Sequence, residues 1–546
     1  MALNIADLVE HAVDLVPERV AVVCGERHVT YAQLESRANR LAHHLAAHGV
    51  VPGSHVGVYS RNSVEMLETM LAAYKLRAVA ININYRYLHA ELRYVCDNSD
   101  LVALVHQRRY APLVAEVLPE VDSIRHVVVV EDGSAEPVTY PATEYEAALA
   151  ESSPERDFPE RSPDDVYILY TGGTTGHPKG VLWRQEDVWR VLGGGIDFVT
   201  GVPVADEWQQ ARQGKDFGLV RLCAAPMIHG AAQWAALGAL FTGSTVVLVA
   251  QFDAAQVWQA VQRHRVNVLA IVGDAMARPL IESYRDGQWD ASSVVAISSS
   301  AALFSQAVKD QYLATFPNVV ITDAIGSSET GFTGIGVVAQ GQEHRGGPRV
   351  KADPDSIVLG EDGTPVGPGV VGRLARGGHV PLGYYKDPAK TAELFTEVDG
   401  KRYAVPGDFA RLEQDGTVTL LGRGNMCVNT AGEKVFPEEV EGVLKSHPHV
   451  FDALVLGVPD ERLGQRVAAV VQPRPGRTVS LSDLDAHVRG RIAGYKVPRS
   501  LWLVDSVSRL PSGKPDYRWA RRHVEEHEPA VRYEVTAGEA HAHRAV

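Results

Sequence analysis

The chain of 546 residues has few cysteines, no long apolar run and no excess of positive charge. A net charge of −14 argues against a nucleic-acid partner and against an anionic-membrane surface. The cysteines are far apart and include no C-x-x-C pair, which excludes a zinc ribbon and gives no sign of a disulfide framework. They are Cys24, Cys96, Cys223 and Cys427. We therefore expect a cytoplasmic protein that binds no nucleic acid.

Secretion and membrane insertion are not predicted either. Residues 1–10 lack a basic region followed by an apolar core, so we expect no signal peptide. No uninterrupted apolar stretch approaches the roughly 18–20 residues of a membrane span, so we expect no transmembrane segment. The oligomeric state stays open, and a homodimer is one of the alternatives.

Strand and helix patterns alternate along most of the chain. Thr30 and Gln33 form a capping-box pattern, after which apolar residues recur at helical spacing until Gly49. Short β-rich runs lie at residues 55–59, 127–130, 166–170, 245–249, 294–298 and 319–322. This alternation predicts an α/β fold, with a large N-terminal domain of stacked, largely parallel sheets and flanking helices.

A smaller α+β unit is predicted after the large domain. Its pattern indicates helices at 437–446 and from residue 482, and strands at 453–458 and 467–472. We place the N-terminal domain at 1–423 and a mobile C-terminal domain at 424–525. Residues 526–546 are charged and lack apolar periodicity, so we expect a disordered tail there.

The most informative motif is a glycine-rich stretch at residues 170–181, directly after a predicted buried strand. Its backbone N–H groups, hydroxyls and lysine suit phosphate oxygens, because glycine lets the backbone approach an anion closely. It is neither a P-loop nor a Gly-x-Gly-x-x-Gly motif. Taken alone it fits a mobile surface loop equally well. The candidate phosphate-binding residues are Thr171, Gly172, Gly173, Thr174, Thr175, Gly176 and Lys179.

The motif Thr-Gly-Gly-Thr-Thr-Gly-x-Pro-Lys-Gly resembles the phosphate loop of the acyl-adenylate-forming superfamily. That superfamily contains acyl-CoA synthetases, peptide-synthetase adenylation domains and beetle luciferases. Three further motifs follow in the family's order: Ile-Gly-Ser-Ser-Glu-Thr-Gly at 325–331, Gly-Asp and Gly-Arg at 407–423, and Ser-Gly-Lys at 512–514. The resemblance spans about residues 20–520. It implies ATP and Mg²⁺ as cofactors and coenzyme A as co-substrate.

The motif at 325–331 carries the Mg²⁺-binding glutamate in the resembled family. This implies Glu329 as the metal ligand and Thr330 as a catalytic residue near the α-phosphate, with Gly326, Ser327 and Ser328 as further nucleotide contacts. A carboxylate beside hydroxyls also suits Mg²⁺ chemically, because the ion prefers oxygen ligands. Without the family context the segment reads as a Ser-rich turn with a solvated glutamate. Ile325 stands where the family usually has an aromatic residue, so we expect apolar contact with adenine instead of stacking.

The remaining motifs imply the ribose and catalytic groups. In the resembled family, Asp408 and Arg423 hold the ribose, and Lys514 is the catalytic lysine that the small domain brings to the carboxylate and α-phosphate. Taken alone, these residues would be a hairpin turn and a solvated lysine. Met426 replaces the Asp or Lys usual at the hinge, which leaves the working hinge open, and Gly432 is placed along the thiol tunnel.

An acyl site is expected from four segments: 226–230, 233–237, 273–276 and 298–303. His229 lies where relatives place an aromatic gate near the carboxylate, although a lone histidine among apolar residues is as often a core residue. Ser300 and Ala301 are assigned to the nucleotide contacts. The small residues predict a roomy apolar cavity, and they are Ala231, Ala232, Gly238, Ser299, Ser300, Ala301 and Ala302.

The resemblance implies an ATP-dependent acyl-CoA ligase that releases AMP and pyrophosphate. Extended similarity points to actinobacterial ligases that activate the sterol side-chain carboxylate, so a bulky apolar carboxylic acid is the expected substrate. Three alternatives stay open: a long-chain fatty acyl-CoA ligase, an adenylating enzyme that passes the acyl group to an amine or carrier protein, and a non-catalytic nucleotide-binding relative.

Overall fold

The computed structural model describes residues 4–171, 177–196, 202–338, 349–430, 433–460, 463–510 and 513–532. Within these ranges the α-helices, in chain order, are α1 Ile5–Leu15, α2 Tyr31–Ala47, α3 Val64–Lys75, α4 His89–Asn98, α5 Ala111–Val117, α6 Tyr145–Ala150, α7 Gln185–Leu192, α8 Gln209–Asp216, α9 Gly230–Phe241, α10 Ala254–His264, α11 Gly273–Asp286, α12 Gln306–Thr315, α13 Pro388–Leu394, α14 Pro437–Lys445, α15 Leu481–Arg489 and α16 Tyr517–Glu526. Single 3₁₀ turns lie at Arg108–Tyr110, Leu118–Glu120, Gly424–Met426 and Gly494–Lys496.

The β-strands lie within the same described ranges and are given in chain order. They are β1 Val20–Cys24, β2 Arg27–Thr30, β3 His55–Tyr59, β4 Val79–Ile83, β5 Leu101–Gln107, β6 His126–Val130, β7 Thr143–Glu144, β8 Val166–Thr171, β9 Lys179–Arg184, β10 Val220–Cys223, β11 Thr245–Leu248, β12 Val268–Ile271, β13 Ala296–Ser300, β14 Val320–Ser327, β15 Gly331–Val338, β16 Arg349–Ala352, β17 Ser356–Leu359, β18 Val371–Arg376, β19 Gly383–Tyr384, β20 Phe395–Val398, β21 Lys401–Ala404, β22 Asp408–Leu412, β23 Thr417–Arg423, β24 Val428–Thr430, β25 Glu433–Val435, β26 Val450–Asp460, β27 Gly464–Pro473, β28 Ser500–Leu503 and β29 Val531–Arg532.

The predicted start of α2 is confirmed. Thr30 is the N-cap: its side chain accepts a hydrogen bond from the backbone N–H of Gln33, and the Gln33 side chain accepts one from the backbone N–H of Thr30. These reciprocal bonds satisfy N–H groups that have no partner within the helix. Local sequence chemistry is therefore sufficient to fix where α2 begins.

The predicted α/β architecture of largely parallel sheets is confirmed in the N-terminal part. One sheet has the strand order β4-β3-β5-β6-β7 and is parallel throughout. In the second sheet, β1, β11, β10, β12, β13 and β14 are parallel neighbours. Every residue of β3 and β4 is buried, as expected for strands covered on both faces.

The second sheet continues as antiparallel strands from β14 through β15 and β16 to β23, β22 and β18. Here one detail of the sequence interpretation is wrong. We expected the strand to end near Asp323, but β14 extends to Ser327 and pairs with β15 as a hairpin. The motif at 325–331 therefore forms the end of a strand and its turn, so its side chains are held by pairing on both sides.

The C-terminal unit has its own sheet, in the order β25-β24-β27-β28-β29 with β26 paired to β27. Its strands β26 and β27 are longer than predicted because they form one antiparallel ladder that includes the polar ends of both runs. A buried apolar cluster from Val428 to Leu501 belongs to this unit alone. Among the described residues, no helix has both the length and the apolar composition required to cross a bilayer.

Three histidines cluster at the edge of the N-terminal part, where α2 ends and β6 begins. The Nε2 atoms of His44 and His126 lie 2.8 Å apart, and the His48 ring stacks on His126 with centroids 3.9 Å apart. Burial, together with the neighbouring charge of His48, lowers the pKa of His44 and that of His126 to about 4. Both rings are therefore neutral near pH 7.

We predict that this cluster makes the fold acid-sensitive. The folded-state pKa values lie below the ordinary value of 6.5, so between pH 6.5 and 4 the unfolded chain binds more protons and stability falls as pH falls. Replacing His44 or His126 by Gln should reduce the loss between pH 7.5 and 5 by about 1–2 kcal/mol. Urea unfolding at pH 7.5 and at pH 5 measures this loss of unfolding free energy, and His28→Gln, at an exposed histidine, is the control. An equal loss in wild type and in both variants would contradict the prediction.

Candidate active site

The base of the glycine-rich stretch is tied to the segment that leads into α9. Thr171 ends β8 and lies opposite Lys179, the first residue of β9. The backbone N–H of Tyr170 donates to Oδ1 of Asn82 at 2.9 Å, and Nδ2 of Asn82 donates to the carbonyls of Tyr170 at 2.9 Å and Ile228 at 2.6 Å. Asn82 was not predicted, because its role depends on where β4 ends beside β8. The remaining candidates of this stretch lie outside the described residues: Gly172, Gly173, Thr174, Thr175 and Gly176.

Glu329 lies in the turn between β14 and β15, among hydroxyl groups. The backbone N–H of Ser327 donates to Oγ1 of Thr330 at 3.1 Å, and that of Glu329 donates to Oγ of Ser327 at 3.2 Å. Trp183 Nε1 donates to the carbonyl of Ser328 at 3.0 Å and fixes the turn from the other side. A carboxylate and two hydroxyls thus occupy one turn, an oxygen set that suits Mg²⁺.

Tyr384 connects this turn to Lys179. Its phenolic hydroxyl donates to Oε1 of Glu329 at 2.9 Å. Lys179 Nζ lies 5.3 Å from the centre of the same ring, within cation–π range, and 3.9 Å from Oδ2 of Asp387. The pairing of β19 with β9 brings Tyr384 there, opposite Val181. Such a contact between distant segments leaves no local pattern, so Tyr384 was not predicted.

The predicted ribose residues lie at one end of an antiparallel strand pair, close to the turn that carries Glu329. Asp408 begins β22 and is in register with Arg423 at the end of β23. Preceding it, Gly407 has φ of +96°, a conformation that glycine adopts without strain. One small cavity is lined by both motifs, and its walls are Ile325, Gly326, Thr330, Thr333, Leu374, Pro406, Asp408 and Leu420. Two motifs that are far apart along the chain therefore line one cavity.

Ser300 is the last residue of β13 and Ala301 follows it, beside the strand β14 that leads into the turn of Glu329. Ser300 is in register with Ala324 of β14. Ala301 has φ of +66°, and the N–H of Ala302 donates to the carbonyl of Ser300 at 2.8 Å across it. A left-handed alanine costs about 1–2 kcal/mol, and residues held in such conformations cluster at functional sites.

His229 is the N-cap residue of α9, at the end of the segment that Asn82 holds. Its Nε2 atom is buried and has no hydrogen-bond partner among the described residues. Burial, with the charges of Lys514 and Arg86 acting in the same direction, lowers the pKa of His229 to about 3. The ring is therefore neutral at pH 7, and Lys514 of the small domain lies close enough to act on it.

The turn that carries Lys514 packs on the first turn of α11. The N–H of Leu510 donates to the carbonyl of Lys514 at 2.9 Å, and the N–H of Gly513 donates to the carbonyl of Leu510 at 2.8 Å. A Cβ placed on Gly513 would lie 3.1 Å from Cβ of Ala275 and 3.2 Å from Cγ1 of Val272. The small domain thus packs the turn that carries its lysine against the large domain.

A face of small residues runs along α9 behind His229. Ala231, Ala235 and Gly238 are half-buried at helical spacing, and a Cβ placed on Gly238 would meet nothing within 4 Å. Ala232, by contrast, is only 4% exposed and belongs to the core of the large domain. The open space next to α9 is therefore next to Ala235 and Gly238, not Ala232.

The predicted hinge is a single 3₁₀ turn, Gly424–Met426, between β23 and β24. The N–H of Gly424 donates to the carbonyl of Gly407 at 3.0 Å, which ties the turn to the ribose segment. Gly432, the residue assigned to the thiol tunnel, lies outside the described residues. Met426 is half-buried. Its role as the hinge residue stays a prediction.

Comparison with known sequences identifies two family models in the chain. A model for AMP-binding enzymes matches residues 9–385, and one for the AMP-binding enzyme C-terminal domain matches residues 439–514. The chain is 59% identical to the 3-oxocholest-4-en-26-oate–CoA ligase of Rhodococcus rhodochrous, over 95% of this chain and 96% of that protein. It is 56% identical to a medium/long-chain-fatty-acid–CoA/3-oxocholest-4-en-26-oate–CoA ligase of Mycobacterium tuberculosis, over 96% of this chain and 97% of that protein.

Solved structures share the same architecture. The anthranilate CoA ligase AuaEII in complex with anthranoyl-AMP matches with a TM-score of 0.84 and 20% identity, over 95% of this chain and 96% of that chain. ATP-bound MatB from Rhodopseudomonas palustris matches with a TM-score of 0.80 and 25% identity, over 95% and 98% of the two chains. At 20% identity, the likeness to AuaEII establishes the fold alone.

Proposed function

This chain belongs to the AMP-binding enzyme family, and we propose that it is an acid–thiol ligase that joins a bulky apolar carboxylic acid to CoA. The acid first reacts with ATP to give an acyl-adenylate and pyrophosphate, and CoA then displaces AMP. The observation that carries this proposal is the docking of the Lys514 turn on α11, where its charge acts on His229. That docking supports a role for the lysine of the small domain at the predicted acyl site.

The chemistry explains why a cation must be delivered. In the first step, a carboxylate oxygen bonds to the α-phosphorus while the bond from that phosphorus to the bridging oxygen breaks and pyrophosphate leaves. Both reactants are anions, so Lys514 would stabilise the negative charge on the carboxylate and α-phosphate as they meet. In the second step the CoA sulfur, after losing its proton, bonds to the acyl carbon and AMP leaves. No side-chain nucleophile is required.

The remaining predicted residues divide between the nucleotide and the acid. Asp408 would accept hydrogen bonds from the ribose hydroxyls, and Lys179 would neutralise phosphate charge, as would the backbone N–H groups of the glycine-rich stretch. A neutral His229 would border the carboxylate without adding charge, so the catalytic positive charge would come from Lys514, with Arg86 as a second cation that acts on the ring. Arg423 and Gly432 keep their predicted roles in ribose and thiol binding.

Glu329 would hold Mg²⁺, which when bound supplies positive charge to the leaving pyrophosphate oxygens. The turn fits this ion, because Glu329 accepts one hydrogen bond at Oε1 from Tyr384 while Ser327 and Thr330 add hydroxyl oxygens. Tyr384 would orient the carboxylate, and its ring would hold Lys179 nearby.

The names of the relatives and the α9 face support a large apolar acid as the substrate. We propose a sterol side-chain acid first, because the relative from Rhodococcus rhodochrous is named for 3-oxocholest-4-en-26-oate. A long-chain fatty acid is the second candidate, because the relative from Mycobacterium tuberculosis is named for both kinds of acid. Burying apolar surface contributes about 25 cal/mol per Å², which favours a large ligand over acetate.

An amine or carrier-protein acceptor and a non-catalytic role are less well supported, because these relatives are named as CoA ligases. A cytoplasmic location follows from the proposal, since ATP and CoA are the co-substrates. A homodimer stays a prediction that light scattering of the purified chain would decide.

Lys514→Ala should reduce acyl-adenylate formation by at least about 100-fold while leaving thioester formation from supplied acyl-adenylate within threefold of wild type. The first step alone needs a cation between two anions. Single-turnover assays of each half-reaction measure the two rates separately, and Lys514→Arg, which keeps the charge, should lose less. Equal losses in both half-reactions for Lys514→Ala would contradict an alternating lysine.

Tyr384→Phe should raise the Mg²⁺ concentration needed for half-maximal adenylation by about three- to tenfold, since Glu329 loses one orienting hydrogen bond. Glu329→Gln should have a larger effect. Tyr385→Phe is the matched control, because it removes a hydroxyl from the adjacent residue that binds Asp100 at 2.7 Å instead. If Tyr384→Phe and Tyr385→Phe need the same Mg²⁺ concentration for half-maximal adenylation, Tyr384 does not orient Glu329.

Substrate choice can be tested with one panel of acids. We expect kcat/KM to be highest for a C27 steroid acid, followed by palmitate, octanoate and benzoate. Gly238→Leu should lower kcat/KM for the steroid acid at least about tenfold more than for octanoate, because the side chain fills space next to α9. Gly238→Ala, which adds one carbon, is the conservative control. A preference for benzoate, or equal losses for all acids, would mean that the acyl site lies elsewhere.

A further inference from the structure

A buried cluster of charged side chains joins the two domains next to the Lys514 turn. Asp274 and Arg278 belong to α11 of the large domain, and Lys445 is the last residue of α14 in the small domain. Oδ2 of Asp274 lies 3.7 Å from Nζ of Lys445 and 3.5 Å from Nη2 of Arg278. All three side chains are almost fully buried, at 2–4% exposure.

Hydrogen bonds within the large domain orient the carboxylate of Asp274 toward this contact. Oδ1 of Asp274 accepts hydrogen bonds from the backbone N–H of Ser305 at 2.8 Å and from its hydroxyl at 3.0 Å. The second oxygen is therefore the one that faces the cations. Arg278 Nη2 also donates to the carbonyl of Lys445 at 3.2 Å, at the C-terminus of α14, where helix carbonyls lack partners within the helix.

The same helical turn touches the catalytic segment. Ala275, next to Asp274, packs against Gly513. Gly513 is held within the small domain by Arg509, whose Nη1 donates to its carbonyl at 3.1 Å. Arg509 in turn binds both carboxylate oxygens of Asp452, at 2.6 and 2.7 Å. The ion cluster and the Lys514 turn therefore dock on one short stretch of α11.

The small domain has a buried acidic residue of its own near Lys445. Glu441 lies one helical turn earlier and accepts hydrogen bonds from the Tyr517 hydroxyl at 2.8 Å and from the N–H of Val455 at 3.0 Å. Burial raises the pKa of Glu441, although the charge of Lys445 opposes that shift. Lys445 thus keeps an acidic neighbour of its own domain whether or not the domains are docked, whereas Asp274 meets it only when they are docked.

We propose that Asp274 is a positioning residue that selects the docked arrangement, in which Lys514 faces the acyl site, by pairing with Lys445. A buried ion pair adds little net stability, because desolvation offsets the attraction, but a buried charge without its partner is strongly unfavourable. The docked state therefore needs the Asp274 carboxylate opposite the buried cations, while the undocked state hydrates these charges separately. This inference rests on the proposed two-step reaction.

Asp274→Asn is the sharpest test. The amide keeps the acceptor for Ser305 but removes the one anion that faces both Lys445 and Arg278 in the cluster. Glu441 then remains beside Lys445 only. We expect adenylation to slow by about tenfold or more, with thioester formation from supplied acyl-adenylate unchanged or faster. Lys445→Met alone leaves Asp274 paired with Arg278 and should cost less. The double variant, which removes one of the two cations that faced Asp274, should recover at least about threefold of the adenylation rate lost in Asp274→Asn.

Glu282→Gln is the matched control. It breaks the ion pair with Arg474, which also joins the two domains at 3.0 Å but is partly exposed at 39% and 30%. Such exposed pairs contribute little, so both half-reactions should stay within about twofold of wild type. Equal slowing of both half-reactions in Asp274→Asn, or no recovery in the double variant, would overturn the proposal that Asp274 selects the docked arrangement.

Small-angle X-ray scattering separates this inference from the proposed function. Asp274→Asn should increase the radius of gyration relative to wild type, and the double variant should reverse part of the increase, with thermal unfolding showing that each variant is folded. Unchanged scattering with unchanged adenylation would overturn the inference. A wild-type chain that releases no pyrophosphate with any acid would instead overturn the proposed function, while the scattering comparison would still decide the docking.

Discussion

The first turn of α11 is the place where buried charge, backbone and small domain must fit together. Gly273 begins it with φ of +46°, and a Cβ there would lie 2.5 Å from the carbonyl of Leu303. That close approach lets the N–H of Asp274 donate to the same carbonyl at 2.9 Å, which ties the docking turn to the predicted acyl segment. Because charges are costly to bury unpaired, we propose that the small domain docks here, with its Lys514 turn, only where it meets the carboxylate of Asp274.

The nucleotide side depends instead on strand pairing within the large domain. The β14–β15 hairpin holds Glu329 in its turn, and the β22–β23 hairpin places Asp408 on the same small cavity as Thr330. The pairing of β19 with β9 brings Tyr384 to Glu329 and Lys179. Paired strands thus hold the groups proposed to bind the nucleotide, while the lysine proposed to act in the first step is carried by the small domain. This division suits a reaction whose two steps need different surroundings.

Local patterns were sufficient to predict the elements, but not the contacts between them. The capping box at Thr30 and the apolar runs of β3 and β6 place these elements within a residue or two of their observed bounds, because such signals act over a few residues. The strand reaching Ser327, the hydrogen bond of Tyr384 and the pair of Asp274 with Lys445 could not be predicted, since each depends on register or docking between distant segments. The motif residues came from family resemblance, not from geometry.

The central claim is that the chain forms an acyl-adenylate before CoA takes part, and isotope exchange tests it most directly. Wild-type protein is incubated with ATP, Mg²⁺, labelled pyrophosphate and a C27 steroid acid, without CoA. Because adenylate formation is reversible, label should appear in ATP, and it should not appear when the acid is omitted. Exchange that requires CoA, or that proceeds equally without the acid, would contradict an acyl-adenylate formed in the docked arrangement of Lys514.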